Sequence, residues 1–282
     1  MKNIHTPRIV IFITILAILT AIAHLSPFKS LNPNIRSLLI MWTPGIAAIV
    51  AGLATRRSFR SFGWSVSFKW IGVGWSIPVL YATVSYSLIW IFGWGGVPNP
   101  TFLERARLTL GMPHNPDWLI ITAAFFFITI VNLIPAMILS LGEELGWRGF
   151  LVPELAQRLG YRKAGWISGL VWGAWHLPGI LSGSYAASGT PVWFQLFCFM
   201  ILVISTAMIL AWLRMKSNSI WPAAVFHATH NGVIQMFFNR ITSDTGNTSY
   251  FTGEFGIAMV PVLIFLALYF YKRSPEKVSS PE

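Results

Sequence analysis

Eight stretches of mostly apolar residues recur along this chain, at about 9–25, 37–55, 70–94, 118–141, 164–181, 192–213, 219–238 and 255–271. A helix needs about 20 such residues to cross the hydrocarbon core of a bilayer. The fold expected is therefore all-α, a polytopic transmembrane helix bundle of about eight spans. Charge content supports this. Only 10% of the 282 residues are charged and the mean hydropathy is +0.62, whereas a soluble chain carries roughly a quarter charged residues to cover its surface. Disordered, collagen-like and disulfide-scaffold chains are excluded on the same grounds. The net charge of +11 comes from small basic clusters between the apolar runs. No single patch or stripe forms, so no nucleic-acid partner is expected.

Cytoplasmic connections near span ends retain Lys and Arg, so the clusters assign sides. With the N-terminus placed inside, the inside set is Lys2, Arg8, Arg56, Arg57, Arg60, Lys69, Arg158, Arg162, Lys163, Arg214, Lys216, Lys272, Arg273 and Lys277. The outside set is Lys29, Arg36, Arg105, Arg107 and Arg240. With Arg148 set aside, the ratio is 14 to 5, which favours eight spans with both termini cytoplasmic. The basic start and Ala21-Ile22-Ala23 are also similar to a cleavable signal peptide; an uncleaved first span is expected, because the rest of the chain is polytopic. Three regions follow: a three-span region at 1–117, a core at 118–240, and a last span with its tail at 241–282. Connections near 98–116 and 242–252 are polar and fall outside, and the tail after Lys272 is expected to be unstructured. The one cysteine, Cys198, lies in an apolar run and excludes both an intrachain disulfide and a cysteine metal cluster.

Ionisable groups inside membrane spans are costly and by default mark a functional site. Glu143, Glu144 and Arg148 follow the fourth run, His176 lies in the fifth, and His227, His230 and Asn231 lie in the seventh. Glu143 and Glu144 are two of just nine carboxylates in the chain. Glu144 and Arg148 are four apart, as are His227 and Asn231 and also Trp172 and His176, so each pair shares a helix face. His230 sits about 100° round the helix from Asn231 and fits the shared face less well. By this topology the three helices converge within the bilayer, towards its cytoplasmic half. Such a set suits hydrolysis of a carbonyl: a glutamate takes a proton from water, one histidine orients that water, and a second histidine with an asparagine stabilises an oxyanion. Trp147, Trp172 and Trp175 are the aromatic candidates for lining the site. His5, His24 and His114 have no assigned role.

Glu143-Glu144-x-x-x-Arg148, an aromatic residue four before His176, and His227-x-x-x-Asn231, in that order, resemble the CAAX prenyl-protease and bacteriocin-processing (Abi) family of intramembrane endopeptidases. The likeness covers about 118–240; Trp172 stands where phenylalanine is more familiar. The resemblance implies that Glu143 activates water with help from His176, that His227 and Asn231 form the oxyanion site, and that Glu144 pairs with Arg148. Spacing alone leaves open which glutamate is the base. It also implies a membrane-bound peptide or lipid-anchored protein as substrate, at the plasma membrane of a prokaryote, with the site facing the cytoplasm. The family is described both as zinc-dependent, for which Glu143, His176 and His227 would be the ligands, and as metal-free. Other intramembrane proteases fit worse: there is no His-Glu-x-x-His, Asp117 and Asp244 lie in loops, and Ser168 and Ser182 stand in Gly-x-x-Ser-Gly. A proton-coupled transporter or a membrane immunity protein is the non-enzymatic alternative, disfavoured by the lack of internal repeats.

Overall fold

The computed structural model describes residues 5–24, 31–273 and 275. Lys2, Lys29 and Lys277, and nearly all of the tail, lie outside the described residues. Among those described the fold is all-helical, with α1 at His5–Ala23, α2 at Pro33–Ala54 and α3 at Phe68–Ile91. An amphipathic helix, α4 (Pro100–Leu110), leads into α5 (Asp117–Phe126) and α6 (Leu133–Glu144). Then come α7 (Val152–Leu181), α8 (Val192–Ser217), α9 (Trp221–His230) and α10 (Met259–Lys272).

Local chemistry sets the helix boundaries. Asn32 and Asn99 accept hydrogen bonds from Asn34 N–H and Thr101 N–H, and Pro33 and Pro100 follow them as first helical residues. This is the side-chain cap followed by a residue whose missing N–H costs nothing there. Gly160, at φ 75°, breaks α7 into a short entry and a longer arm. Three wider, π-helical stretches interrupt the regular ladder: Phe127–Val131 after α5, Leu145–Leu151 between α6 and α7, and Asn231–Phe238 after α9.

Helices α2, α3 and α8 are long and apolar enough to cross a membrane; α5 with the α6–α7 unit makes a fourth if this pair, bent by 46°, is one span. Helices α1 and α10 are apolar but shorter. Length and composition of the helices thus pick out three or four of the eight expected spans. The fifth run is only the arm of α7 beyond the Gly160 break. The seventh run, α9 and its π-helical extension, is buried inside the bundle almost throughout. Leu80, Ile134, Leu170 and Phe265, by contrast, face outward, as lipid-facing side chains do.

Helices α7 and α8 pack along Gly165, Gly169 and Gly173, a small residue every fourth position. A Cβ at Gly169 would lie 2.8 Å from Ile204 Cα. Close backbone approach through small residues is how helices associate where lipid offers no hydrophobic drive. Gly142 plays the same part between α6 and α2, since a Cβ there would sit 2.8 Å from the Met41 carbonyl oxygen. Because Gly142 precedes Glu143, this approach sets how far the carboxylate stands from α2.

Contacts group the helix ends into two sets. At one end, Glu154 at the start of α7 meets Arg8 of α1 at 3.3 Å and Arg57, just past α2, at 3.2 Å. Arg57 sits outside the helices, and burial lowers its guanidinium to about 10 against the pull of Glu154. There too, Trp221 at the start of α9 donates to the Trp64 carbonyl, and Tyr161 donates to carbonyls at the end of α10. At the other end, Gly96 after α3 and Ser243 after α9 exchange backbone hydrogen bonds.

Candidate active site

Glu143, the penultimate residue of α6, is 2% exposed, while Glu144 and Arg148 are 0% exposed. Trp172 Nε1 donates to Glu143 Oε2 at 2.7 Å, and Trp147 Nε1 approaches the same oxygen at 3.3 Å. Glu144 turns the other way. Its Oε1 accepts from Arg148 Nη1 at 3.0 Å and meets His227 Nδ1 at 2.9 Å. The guanidinium of Arg148 stacks over the Trp172 ring, 4.5 Å from its centroid, a cation–π contact. The four-residue spacing of Glu144 and Arg148 thus joins them on one face, and Trp172 links that pair to Glu143.

The histidines are oriented by what their Nδ1 atoms touch. His176 Nδ1 lies 3.0 Å from the Trp172 carbonyl oxygen. A carbonyl only accepts, so this Nδ1 carries the proton and Nε2 holds the lone pair. His227 Nδ1 faces a carboxylate, which places a proton there as well. The ring of Trp175 meets that of His176 edge-on at 4.6 Å, and Trp172 and His227 are 5.4 Å apart.

Glu143, Trp172, Trp175, His176, His227 and Asn231 all line one cavity of about 670 Å³, within the roughly 300–1,000 Å³ usual for small-molecule pockets. Glu144 and Arg148 stand behind its wall. Trp147 is buried against Phe12 and Trp175, and supports the wall without lining it. The convergence expected from three separate apolar runs is what the structure places there. Among the described residues, however, no three His, Cys, Asp or Glu side chains are grouped so as to hold a metal ion. Glu143, His176 and His227 are included in that statement, and one oxygen of Glu143 is already taken by indole donors.

Glu254 was not anticipated from the sequence. It lies just before α10 and reaches back into the bundle, where Oε1 meets His230 Nε2 at 2.8 Å and Oε2 accepts from Gln235 Nε2 at 3.1 Å and from the Tyr185 hydroxyl. His230 Nδ1 is held in turn by the Tyr81 hydroxyl. This explains why His230 diverges from the face of His227 and Asn231: it belongs to a second polar cluster on the same cavity. The available signal was carboxylate scarcity, since Glu254 is also one of nine. Asp117 pairs with Arg107 on the surface, and Asp244 accepts from Gly246 N–H, which lowers its carboxyl below the usual range.

The geometry is matched by kinship. Residues 118–233 match the profile of the family described as type II CAAX prenyl endopeptidase Rce1-like. The chain is also similar to CAAX prenyl protease 2 of Methanococcus maripaludis, with 28% identity over 135 residues. That alignment covers 46% of this chain, and the chain spans about half, 48%, of the relative's length. Every residue of the two motifs and His176 falls inside the matched stretch.

Proposed function

We propose, from the match of residues 118–233 to the Rce1-like CAAX prenyl endopeptidase family, that the chain is a member of that family, an intramembrane endopeptidase using Glu143 as general base. The observation that carries this is Glu143 itself: a buried carboxylate, gripped through one oxygen by two indole N–H groups, in the wall of a cavity shared with His176, His227 and Asn231. Fixing Oε2 assigns Oε1 to the reacting water.

In the reaction, Glu143 takes a proton from water held also by the Nε2 lone pair of His176. The hydroxide oxygen adds to the scissile carbonyl carbon. His227, donating from Nε2 while Glu144 balances its charge, and the Asn231 amide stabilise the oxyanion, a contribution worth about 3 kcal/mol per donor where it has been measured. Glu143 then returns its proton to the amide nitrogen as the C–N bond breaks, leaving a carboxylic acid and an amine, and the acid's proton passes to the amine to give carboxylate and ammonium. Glu144 and Arg148 position His227 and Trp172 without touching substrate. No step is routed through a metal, because among the described residues no three His, Cys, Asp or Glu side chains are grouped to hold one.

The substrate class proposed is a membrane-inserted peptide or lipid-anchored protein, with 118–240 as the catalytic core. The 14-to-5 distribution of basic residues supports eight traverses of a plasma membrane with both termini cytoplasmic. The test is Glu143→Gln, which keeps size and hydrogen bonding but removes the base. Cleavage of a membrane-delivered peptide is expected to fall about 10²–10⁴-fold with the solubilised protein still monodisperse, and membrane proteomics of cells carrying the variant should show an accumulated substrate. Cleavage within a factor of two of the parent would end this assignment.

A further inference from the structure

The cavity has a direction. Its outer residues, His24 after α1, Asn34 in the first turn of α2, and Ser184 and Tyr185 between α7 and α8, lie at one end of the bundle. Glu143, Trp172 and His227 form its floor. None of its lining residues comes from the opposite end, where Arg8, Arg57 and Glu154 gather and where Arg214 Nε donates to the Arg148 carbonyl at 2.9 Å. Helix direction agrees. His227 is six residues beyond Trp221, about 9 Å along α9 from that arginine-rich end, whereas the lining residues continue through the π-helical stretch after α9 to Met236, further away.

The arginine-rich end is also where the basic connections fall. Arg56, Arg57 and Arg60 lie between α2 and α3 and Lys69 in the first turn of α3; Arg158, Arg162 and Lys163 flank the Gly160 break of α7; Arg214 and Lys216 lie in the last turn of α8; Lys272 and Arg273 end α10. Described basic residues at the mouth end are Arg36, Arg105, Arg107 and Arg240. Lys and Arg near span ends stay cytoplasmic. We infer that the catalytic cavity opens on the extracytoplasmic side of the membrane, so that its substrate is a peptide already translocated, or one whose cleavable segment enters from the outer leaflet. This reverses the cytoplasmic access expected from the sequence. The expectation placed the convergence by counting residues along helices; the structure adds that the space beside those residues is closed towards the arginines and open away from them. The sidedness stands on geometry and charge alone, whereas the substrate class rests additionally on the endopeptidase reading.

Thiol accessibility tests it. Cys198, the one cysteine in the chain, is buried, so single substitutions at the exposed positions Ser184 and Lys69 report cleanly. Intact spheroplasts and inside-out vesicles would each be treated with a membrane-impermeant maleimide. Ser184→Cys should be labelled in spheroplasts and protected in inside-out vesicles, and Lys69→Cys should show the reverse, each by at least tenfold. The opposite pattern, or equal labelling of either site from both sides, overturns the inference. Labelling does not depend on hydrolysis, so the Glu143→Gln assay can fail while sidedness holds, and sidedness can fail while cleavage persists.

Discussion

Trp172 serves two charges of opposite sign. Its indole N–H holds Glu143 and its face carries Arg148, so one ring spaces a carboxylate and a guanidinium that would otherwise be drawn together. Trp172→Phe keeps the face and loses the donor. A hydrogen bond to a charged group is worth about 1.5–3 kcal/mol, so kcat is expected to fall roughly tenfold or more while KM and the melting temperature change little; an equal fall in kcat and stability would show that the ring matters only for packing. Arg148 is a different case. Its removal leaves buried Glu144 with His227 as its remaining partner, and breaking a buried pair costs about 3–5 kcal/mol. Thermal unfolding in detergent should therefore show Arg148→Met strongly destabilised, with Glu144→Gln in the same chain restoring part of the loss. No restoration would mean that Arg148 acts through Trp172 rather than through Glu144.

The elements that carry the site are irregular where it matters. The π-helical stretch at Leu145–Leu151 contains Arg148, and the one at Asn231–Phe238 begins with Asn231. Such widening frees backbone carbonyls that a membrane interior cannot hydrate. Here arginines meet them: Arg57 donates to the Gly149 and Phe150 carbonyls and Arg214 to that of Arg148. Two residues read from the sequence only as topology markers thus also hold the stretch that carries Arg148 in shape. Gly142 sets the approach of α6 to α2. In Gly142→Ala the new methyl would lie 2.7 Å from Trp42 Cγ, an overpacking that costs about 1–3 kcal/mol and is relieved by moving Glu143. Activity is expected to drop well beyond what the modest fall in melting temperature explains, which paired kinetic and unfolding measurements would reveal.

At the scale of the molecule, apolar side chains such as Leu80 and Phe265 face outward while Glu143, Glu144, Arg148 and Glu254 are buried in the interior. That is why Glu143, Glu144, Arg148, His176, His227 and Asn231 were legible in the sequence, where each stood out against an apolar run. Glu254 was not legible as a site residue, because it arrives through the connection after α9 and its partners lie up to 69 residues away; helical spacing sees only the next turn. The extent of the spans was blurred for the opposite reason, since α9 is as apolar as a lipid-facing helix but is enclosed by protein. Glu254 joins α9 to the α7–α8 connection, and Glu254→Leu would leave three donors without their acceptor. A loss of about 2–4 kcal/mol is expected, read as a lower melting temperature together with weakened cleavage; an unchanged melting temperature would show that the cluster does not brace the cavity. The same long-range joins have a bearing on biogenesis. Glu144 and Arg148 leave the ribosome together, but His227 follows Glu144 by 83 residues, roughly 4–17 s of synthesis at about 5–20 residues per second, and Glu254 follows later still. On the proposed mechanism, a nascent chain inserted as far as α8 would hold the base without the oxyanion site, so it would not cut its neighbours in the membrane until its own seventh apolar run had been delivered.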